Sequence, residues 1–264
     1  MIRNYYNQYK HVSSSYKKTG FFSLSISNRV LRYLSFFITP FFLKLNISAN
    51  VTTCLSGGIG VLATLFIFFG TKQYLIIGLW IFLFSHLIDF VDGNIARVKG
   101  TSTFFGKFID GYADIITLTA LRLSLAFFVF VNNGPHYLIW IGVLSVILTP
   151  YHHLTLDRYS AYARWITEDT SVQLEPYLRN KIMPLTLGNM MCDLQCVLIF
   201  IIMFNPYIGL VVYFTVGVVE AIFCIISHLL AASKYMRVER RSPQISDNFM
   251  SSINYFKESK NDSV

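Results

Sequence analysis

The chain has 264 residues, 54% of them hydrophobic and only 14% charged, with a mean hydropathy of +0.50. That balance excludes an ordinary soluble domain of this size and indicates an integral membrane protein. The net charge of +8 would suit a nucleic-acid partner, but the basic residues are distributed as at a membrane surface, which argues against that class.

The first twenty residues, MIRNYYNQYKHVSSSYKKTG, lack a short apolar core followed by small cleavage-site residues, so no cleaved signal peptide is expected. The stretch NRVLRYLSFFITP then places Val30, Leu31, Leu34, Ile38 and Phe41 on one helical face. Asn28, Arg29, Arg32 and Ser35 fall on the other, and Pro40 is expected to close the helix. This pattern predicts an amphipathic helix lying in the membrane interface.

Six apolar segments follow, each near the ~20 residues that a spanning helix needs. They cover roughly 52–69, 74–92, 104–131, 136–153, 186–204 and 207–231. The links after Phe69, Val131 and Phe204 are short and carry Lys72 as their basic residue. The other side holds the N-terminus, the 93–103 link, a 154–185 loop and the C-terminal tail. Arg97, Lys99, Arg158, Arg164, Arg179, Lys181, Lys234, Arg237, Arg240 and Arg241 all lie there. The excess of Lys and Arg predicts that both termini face the cytoplasm. The expected organisation is therefore all-α: a cytoplasmic N-terminal part with the interfacial helix over 1–50, a six-helix transmembrane catalytic domain over 51–231, and a disordered cytoplasmic tail over 232–264.

Cys54, Cys192, Cys196 and Cys224 sit in apolar runs without a CxxC pair, and are read as packed thiols rather than disulfide or zinc ligands. The sequons at Asn46 and Asn50 fall on the cytoplasmic side and should carry no glycan.

Against this apolar background, residues 86–118 read HLIDFVDGNIARVKGTSTFFGKFIDGYADIITL. Asp89 and Asp92 are three apart at the end of one span, and Asp110 and Asp114 are four apart at the start of the next. On helices each pair projects from one face, and an antiparallel hairpin brings all four carboxylates together. At the bilayer centre each would cost on the order of 2.5–3.5 kcal/mol. Arg97, Lys99 and Lys107 are not enough to neutralise and orient all four. Mg²⁺ or Mn²⁺ would satisfy them directly, and two such ions sharing carboxylates suit phosphoryl or pyrophosphate chemistry. Gly93 and Ala96 beside Asp92, and Gly106 one turn before Asp110, leave room for a phosphate or backbone to approach.

These residues resemble the signature of the CDP-alcohol phosphotransferase (CDP-alcohol phosphatidyltransferase) family. Here it reads Asp89-x-x-Asp92-Gly93-x-x-Ala96-Arg97, then eight residues, then Gly106-x-x-x-Asp110-x-x-x-Asp114. Asn50-Val51-Thr52 also resembles a family feature that precedes the first span, although Ala49 stands where a proline is usual. The resemblance implies that an acceptor hydroxyl attacks the phosphorus of a CDP-linked donor and CMP leaves, in phospholipid biosynthesis. By that analogy Asp89, Asp92 and Asp110 would hold two divalent ions, with Asp114 able to touch the second and acting as general base. Asn50, Thr52, Gly93, Ala96, Arg97 and Gly106 would line the cytidine diphosphate site. Similar enzymes are often homodimers, which nothing in this sequence establishes by itself.

The signature does not separate two donor modes. Either CDP-diacylglycerol supplies a phosphatidyl group, the favoured reading, or a CDP-linked head group is passed to a lipid hydroxyl. His152, His153 and Arg158 at the end of the fourth span are candidates for an acceptor or head-group pocket, and equally for contacts with lipid phosphates. Arg122 is a further pocket candidate, but its depth in the third span favours a structural pair with Glu220 of the sixth. No dense basic set marks a phosphorylated acceptor. An ion-coupled transporter would explain Glu220 but not four carboxylates at one face beside a Gly/Ala/Arg hairpin, and a silent scaffold would not need them.

Overall fold

The structure is a computed structural model that describes residues 25–170 and 185–237. Those residues form seven α-helices and no strand: α1 Ile26–Lys44, α2 Ala49–Phe68, α3 Lys72–Lys99, α4 Phe104–Val131, α5 His136–Thr170, α6 Leu185–Phe204 and α7 Pro206–Tyr235. Five of them, α2, α3, α4, α5 and α7, are long and apolar enough to cross a membrane, which makes the protein a multi-pass membrane protein.

Helix starts follow local chemistry. Ser25, Ser48, Thr71 and Thr103 are N-caps, and each side-chain oxygen accepts an N–H of the first turn. Pro206 opens α7 directly after its cap Asn205, where the missing N–H costs nothing. The α3–α4 turn is set by Gly100, whose φ of +64° favours glycine, while Thr101 N donates to Ala96 O at 3.0 Å.

α2 packs on both α3 and α4; α1 and α6 pack on α3; α5 joins α4 to α7. Two close approaches hold the first group. A Cβ on Gly60 would sit 2.8 Å from Thr117 Cγ2 and 2.9 Å from Ser85 Oγ. One on Gly78 would sit 2.7 Å from Ala63 O. The main core, with Ile67, Leu79, Leu121, Leu125, Leu198, Ile202 and Phe214, lies in the half of the bundle away from the carboxylates. A smaller cluster of Phe42, Ile88, Val91 and Ile95 seats α1. Trp80, Phe84, Leu123, Ile147, Ile226 and Leu230 point outward, as lipid contact allows.

Several boundaries differ from the sequence expectation. Pro40 does not close α1; the helix runs to Lys44. A proline costs a helix about 3 kcal/mol; here Ser35, Phe36, Thr39, Pro40 and Phe42 are buried, and that packing against α3 carries the helix through. Its Val30, Leu34 and Phe41 are exposed, but Ser35, expected on the polar face, is turned inward and fully buried. Most of the expected 93–103 link is helical, since α3 continues to Lys99. The fourth apolar segment ends at 153, yet α5 continues through Pro150 to Thr170, so the first half of the expected loop is helix. The remainder of that loop and the tail beyond 237 lie outside the described residues.

Candidate active site

The short α3–α4 turn folds the two helices back on each other and brings both aspartate pairs to one end of the bundle. Carboxylate oxygens of Asp89, Asp92 and Asp110 all lie within 4.8 Å of one another. Asp92 is buried, and Asp89 and Asp110 are half-buried. At that separation each pair of ionised carboxylates repels by roughly 3.5 kcal/mol with an effective dielectric near 20. Thr53 of α2 relieves part of this by donating its hydroxyl to Asp92 Oδ2. The Arg32 guanidinium, whose Cζ lies 4.4 Å above the Phe90 ring, is close enough to act electrostatically on Asp89 and Asp92. Three converging oxygens from carboxylates alone are a hard-cation donor set, so the residues fit a divalent ion of the Mg²⁺ or Mn²⁺ type.

A cleft of about 210 Å³ opens beside the cluster. Ala49, Asn50 and Thr53 line it from the start of α2; Asp92, Gly93, Ala96 and Arg97 from the end of α3; Gly106, Lys107 and Asp110 from the start of α4. The turn Thr101, Ser102 and Thr103 forms its rim. Glycine leaves room for a close approach at two points. A Cβ on Gly93 would lie 3.3 Å from Arg97 Nη1, so the guanidinium folds back over this position. A Cβ on Gly106 would lie 3.2 Å from both Asn50 Oδ1 and Thr103 Oγ1, where α2 and α4 converge. Lys99 is occupied elsewhere, donating to Asn46 Oδ1 at 3.2 Å and Ile47 O at 3.1 Å.

A second, smaller hollow of about 90 Å³ lies on the other side of the carboxylates, between α2, α3 and α4. Asp89 and Asp114 line it together with Ser56, Ser85, His86 and Thr117. Asp114 is thus one turn from Asp110 but outside the converging trio, facing a different space.

Most of the expected residues meet here: Asp89, Asp92, Asp110, Gly93, Ala96, Arg97, Gly106 and Asn50 around the cleft, with Asp114 beside it. Thr52 does not line it. That side chain is fully buried and donates to Ser48 O at 3.0 Å, and its neighbour Thr53 takes the place facing the site. Sequence reasoning missed Thr53; apolar α2 has too weak a stripe to show which of two adjacent threonines faces α3. His86, Ser85 and Asn94 were missed too, and a polar residue three to five positions from a carboxylate inside an apolar span was the available signal.

The later candidates stand apart from both cavities. His152 and His153 on α5 are half-buried, their ring centroids 5.2 Å apart, and Arg158 is exposed. Arg122 is buried and donates Nη1 to Thr149 Oγ1 at 2.6 Å. The expected direct pair with Glu220 does not form a hydrogen bond, for Glu220 accepts from Gln195 Nε2 at 2.7 Å. The Arg122 guanidinium nonetheless lies against Gly217, one turn away, and acts electrostatically on Glu220. Asp193 of α6 caps α1, accepting from Ile26 N at 3.0 Å and Ser27 N at 2.6 Å.

Residues 46–226 match the profile of CDP-alcohol phosphatidyltransferases, a match that spans most of the chain and the whole carboxylate hairpin. The chain belongs to the CDP-alcohol phosphatidyltransferase family. Over 97 residues it is 35% identical to the CDP-diacylglycerol–inositol 3-phosphatidyltransferase of Drosophila melanogaster, a stretch covering 37% of this chain and 41% of that protein. The fold is similar to the crystal structure of Mycobacterium tuberculosis phosphatidylinositol phosphate synthase in its apo form, with a TM-score of 0.50 at 18% identity over 74% of this chain and 94% of that one. Membership of this family leaves the transporter alternative without support.

Proposed function

We propose that this CDP-alcohol phosphatidyltransferase transfers the phosphatidyl group of CDP-diacylglycerol to the hydroxyl of a small alcohol and releases CMP. The observation that carries the proposal is a carboxylate cluster standing between two cavities, one lined by the signature's Gly93, Arg97 and Gly106 and the other by Asp114. In-line displacement needs the attacking hydroxyl and the leaving CMP on opposite sides of the donor's phosphorus, and this arrangement offers two sides. The similarity to a CDP-diacylglycerol-using relative favours that donor over a CDP-linked head group.

In this reading Asp89, Asp92 and Asp110 would hold two divalent ions, with Asp114 able to reach one of them, and Asn50, Gly93, Ala96, Arg97 and Gly106 would seat the cytidine diphosphate. The bound ions supply charge neutralisation of the pyrophosphate and of the leaving CMP. Thr53 fixes the Asp92 carboxylate through its hydroxyl. Arg97 presents its guanidinium to the diphosphate across Gly93. Asp114 accepts the proton of the acceptor hydroxyl as its oxygen bonds to the phosphorus and the bond to the CMP oxygen breaks.

The membrane arrangement follows the same reading. α6 is a sixth span, α1 lies in the interface with Val30, Leu34 and Phe41 toward lipid, and the carboxylate end faces the cytoplasm. A membrane-impermeant maleimide applied to intact cells should then reach a cysteine placed at Asn133 and miss one at Ser102; the reverse pattern would overturn the orientation. Donor mode is tested with CDP-diacylglycerol and CDP-choline offered separately, the first with inositol, serine and glycerol 3-phosphate, the second with diacylglycerol. CMP release from CDP-diacylglycerol supports the proposal, and release from CDP-choline alone refutes it.

A further inference from the structure

Arg97 reaches the donor cleft, but a long flexible guanidinium does not hold a position unaided. What holds it is Asn94, a residue inside the signature's variable gap. Arg97 Nη2 donates to Asn94 Oδ1 at 2.7 Å. Asn94 Nδ2 in turn donates to two hydroxyls of α1, Ser35 Oγ at 2.9 Å and Thr39 Oγ1 at 3.0 Å. Asn94 is 1% exposed and Ser35 and Thr39 are fully buried, so the two bonds to α1 are shielded from water, while the bond to Arg97 is part-buried at the edge of the cleft.

The direction of this network is fixed from both ends. A guanidinium has donors and no acceptor, so the Asn94 atom facing Arg97 must be its oxygen, and the amide nitrogen must face α1. There each hydroxyl has a single proton, already committed: Ser35 Oγ donates to Arg32 O at 2.7 Å, and Thr39 Oγ1 donates to Ser35 O at 2.7 Å. Both therefore offer lone pairs to Asn94. The amide has no alternative orientation that keeps all three bonds, and a buried polar group left unsatisfied is costly.

We propose that Asn94 is a positioning residue through which α1 sets the Arg97 guanidinium for the donor's diphosphate. The seating of α1 on the bundle is thereby coupled to donor affinity. This rests on the functional reading above, in which Arg97 binds the cytidine diphosphate.

The test measures binding of CDP in Mn²⁺ by the full-length protein in detergent. Variants are Asn94→Ala, Arg97→Met, the double variant, and Ser35→Ala/Thr39→Val. Asn94→Ala should weaken CDP binding roughly 10–150-fold, as expected for a lost hydrogen bond to a charged group. In the Arg97→Met background it should weaken binding no further, because Asn94 acts through Arg97. Ser35→Ala/Thr39→Val should show a smaller loss that also vanishes in that background. Asn94→Asp, which keeps an oxygen for Arg97, should retain more affinity than Asn94→Ala, and it serves in its place if the alanine variant does not fold. An equal loss in both backgrounds would show general damage and overturn the relay. Wild-type binding with Asn94→Ala unchanged would overturn the relay alone, whereas a wild type that binds no CDP overturns the functional reading beneath it.

Discussion

Replacing Thr53 by valine keeps the shape of the side chain and removes one hydroxyl, and the structure says what that hydroxyl does. It lies within reach of both Ala49 O, at 3.1 Å, and Asp92 Oδ2. A hydroxyl has one proton and cannot serve both; the carboxylate in the crowded trio is the stronger acceptor. Losing it leaves Asp92 with less stabilisation of its charge, beside two other carboxylates within 4.8 Å. Groups that orient a metal-binding carboxylate in this way are typically worth 10–100-fold in metal affinity, or about 1.4–2.8 kcal/mol. Thr53→Val should therefore shift the Mn²⁺ concentration for half-maximal CMP release upward by about that factor. The rate at saturating Mn²⁺ should remain within a few-fold of wild type, and Thr53→Ser should stay near wild type throughout. An unchanged midpoint in Thr53→Val would refute the reasoning that this hydroxyl supports a metal-binding carboxylate.

Other outcomes follow from the same contacts. Gly60→Ala should lower the thermal midpoint of the detergent-solubilised protein, because its new methyl would stand 2.8 Å from Thr117 and 2.9 Å from Ser85 and force apart three helices; overpacking of this kind costs about 1–3 kcal/mol. A midpoint equal to wild type would mean the junction yields freely. Asp193→Ala should speed hydrogen exchange at the Ile26 and Ser27 amides, which lose their cap, by roughly 5–30-fold for a cap worth about 1–2 kcal/mol; unaltered exchange would remove Asp193 as the anchor of α1. Chelation with EDTA should abolish CMP release and added Mn²⁺ or Mg²⁺ should restore it, while activity that persists after exhaustive chelation would contradict the metal role of Asp89, Asp92 and Asp110.

The carboxylate hairpin was legible in the sequence because charge is costly in an apolar chain, and the spacings of three and four leave only one helical face for each pair. The positions of five of the six expected spans were legible for a related reason: bilayer thickness sets a length. What the sequence concealed is helix rotation and continuation. Two adjacent threonines, Thr52 and Thr53, look alike in a nearly uniform apolar stretch, and only packing against α3 selects the one that reaches Asp92. Pro40 reads as a helix end by its local chemistry, but burial of α1 outweighs one lost hydrogen bond. Arg122 and Glu220 were matched by depth alone. The Arg122 guanidinium does face α7 beside Gly217 and acts electrostatically on Glu220, but Thr149 and Gln195 take the hydrogen bonds, because depth does not specify which atoms meet. The Asn94 network joins residues 55 and 59 positions apart through groups that read as ordinary polar residues one at a time.

The central claim is that Asp114 takes the acceptor proton while the signature residues across the cluster hold the donor. Its most direct test is CMP release from CDP-diacylglycerol by purified protein in Mn²⁺, wild type beside Asp114→Asn, with CDP binding measured on both. Loss of a positioned general base typically costs 10²–10⁴-fold. The account predicts a fall of about that size in Asp114→Asn with CDP binding preserved. Comparable CMP release by the two proteins would contradict it.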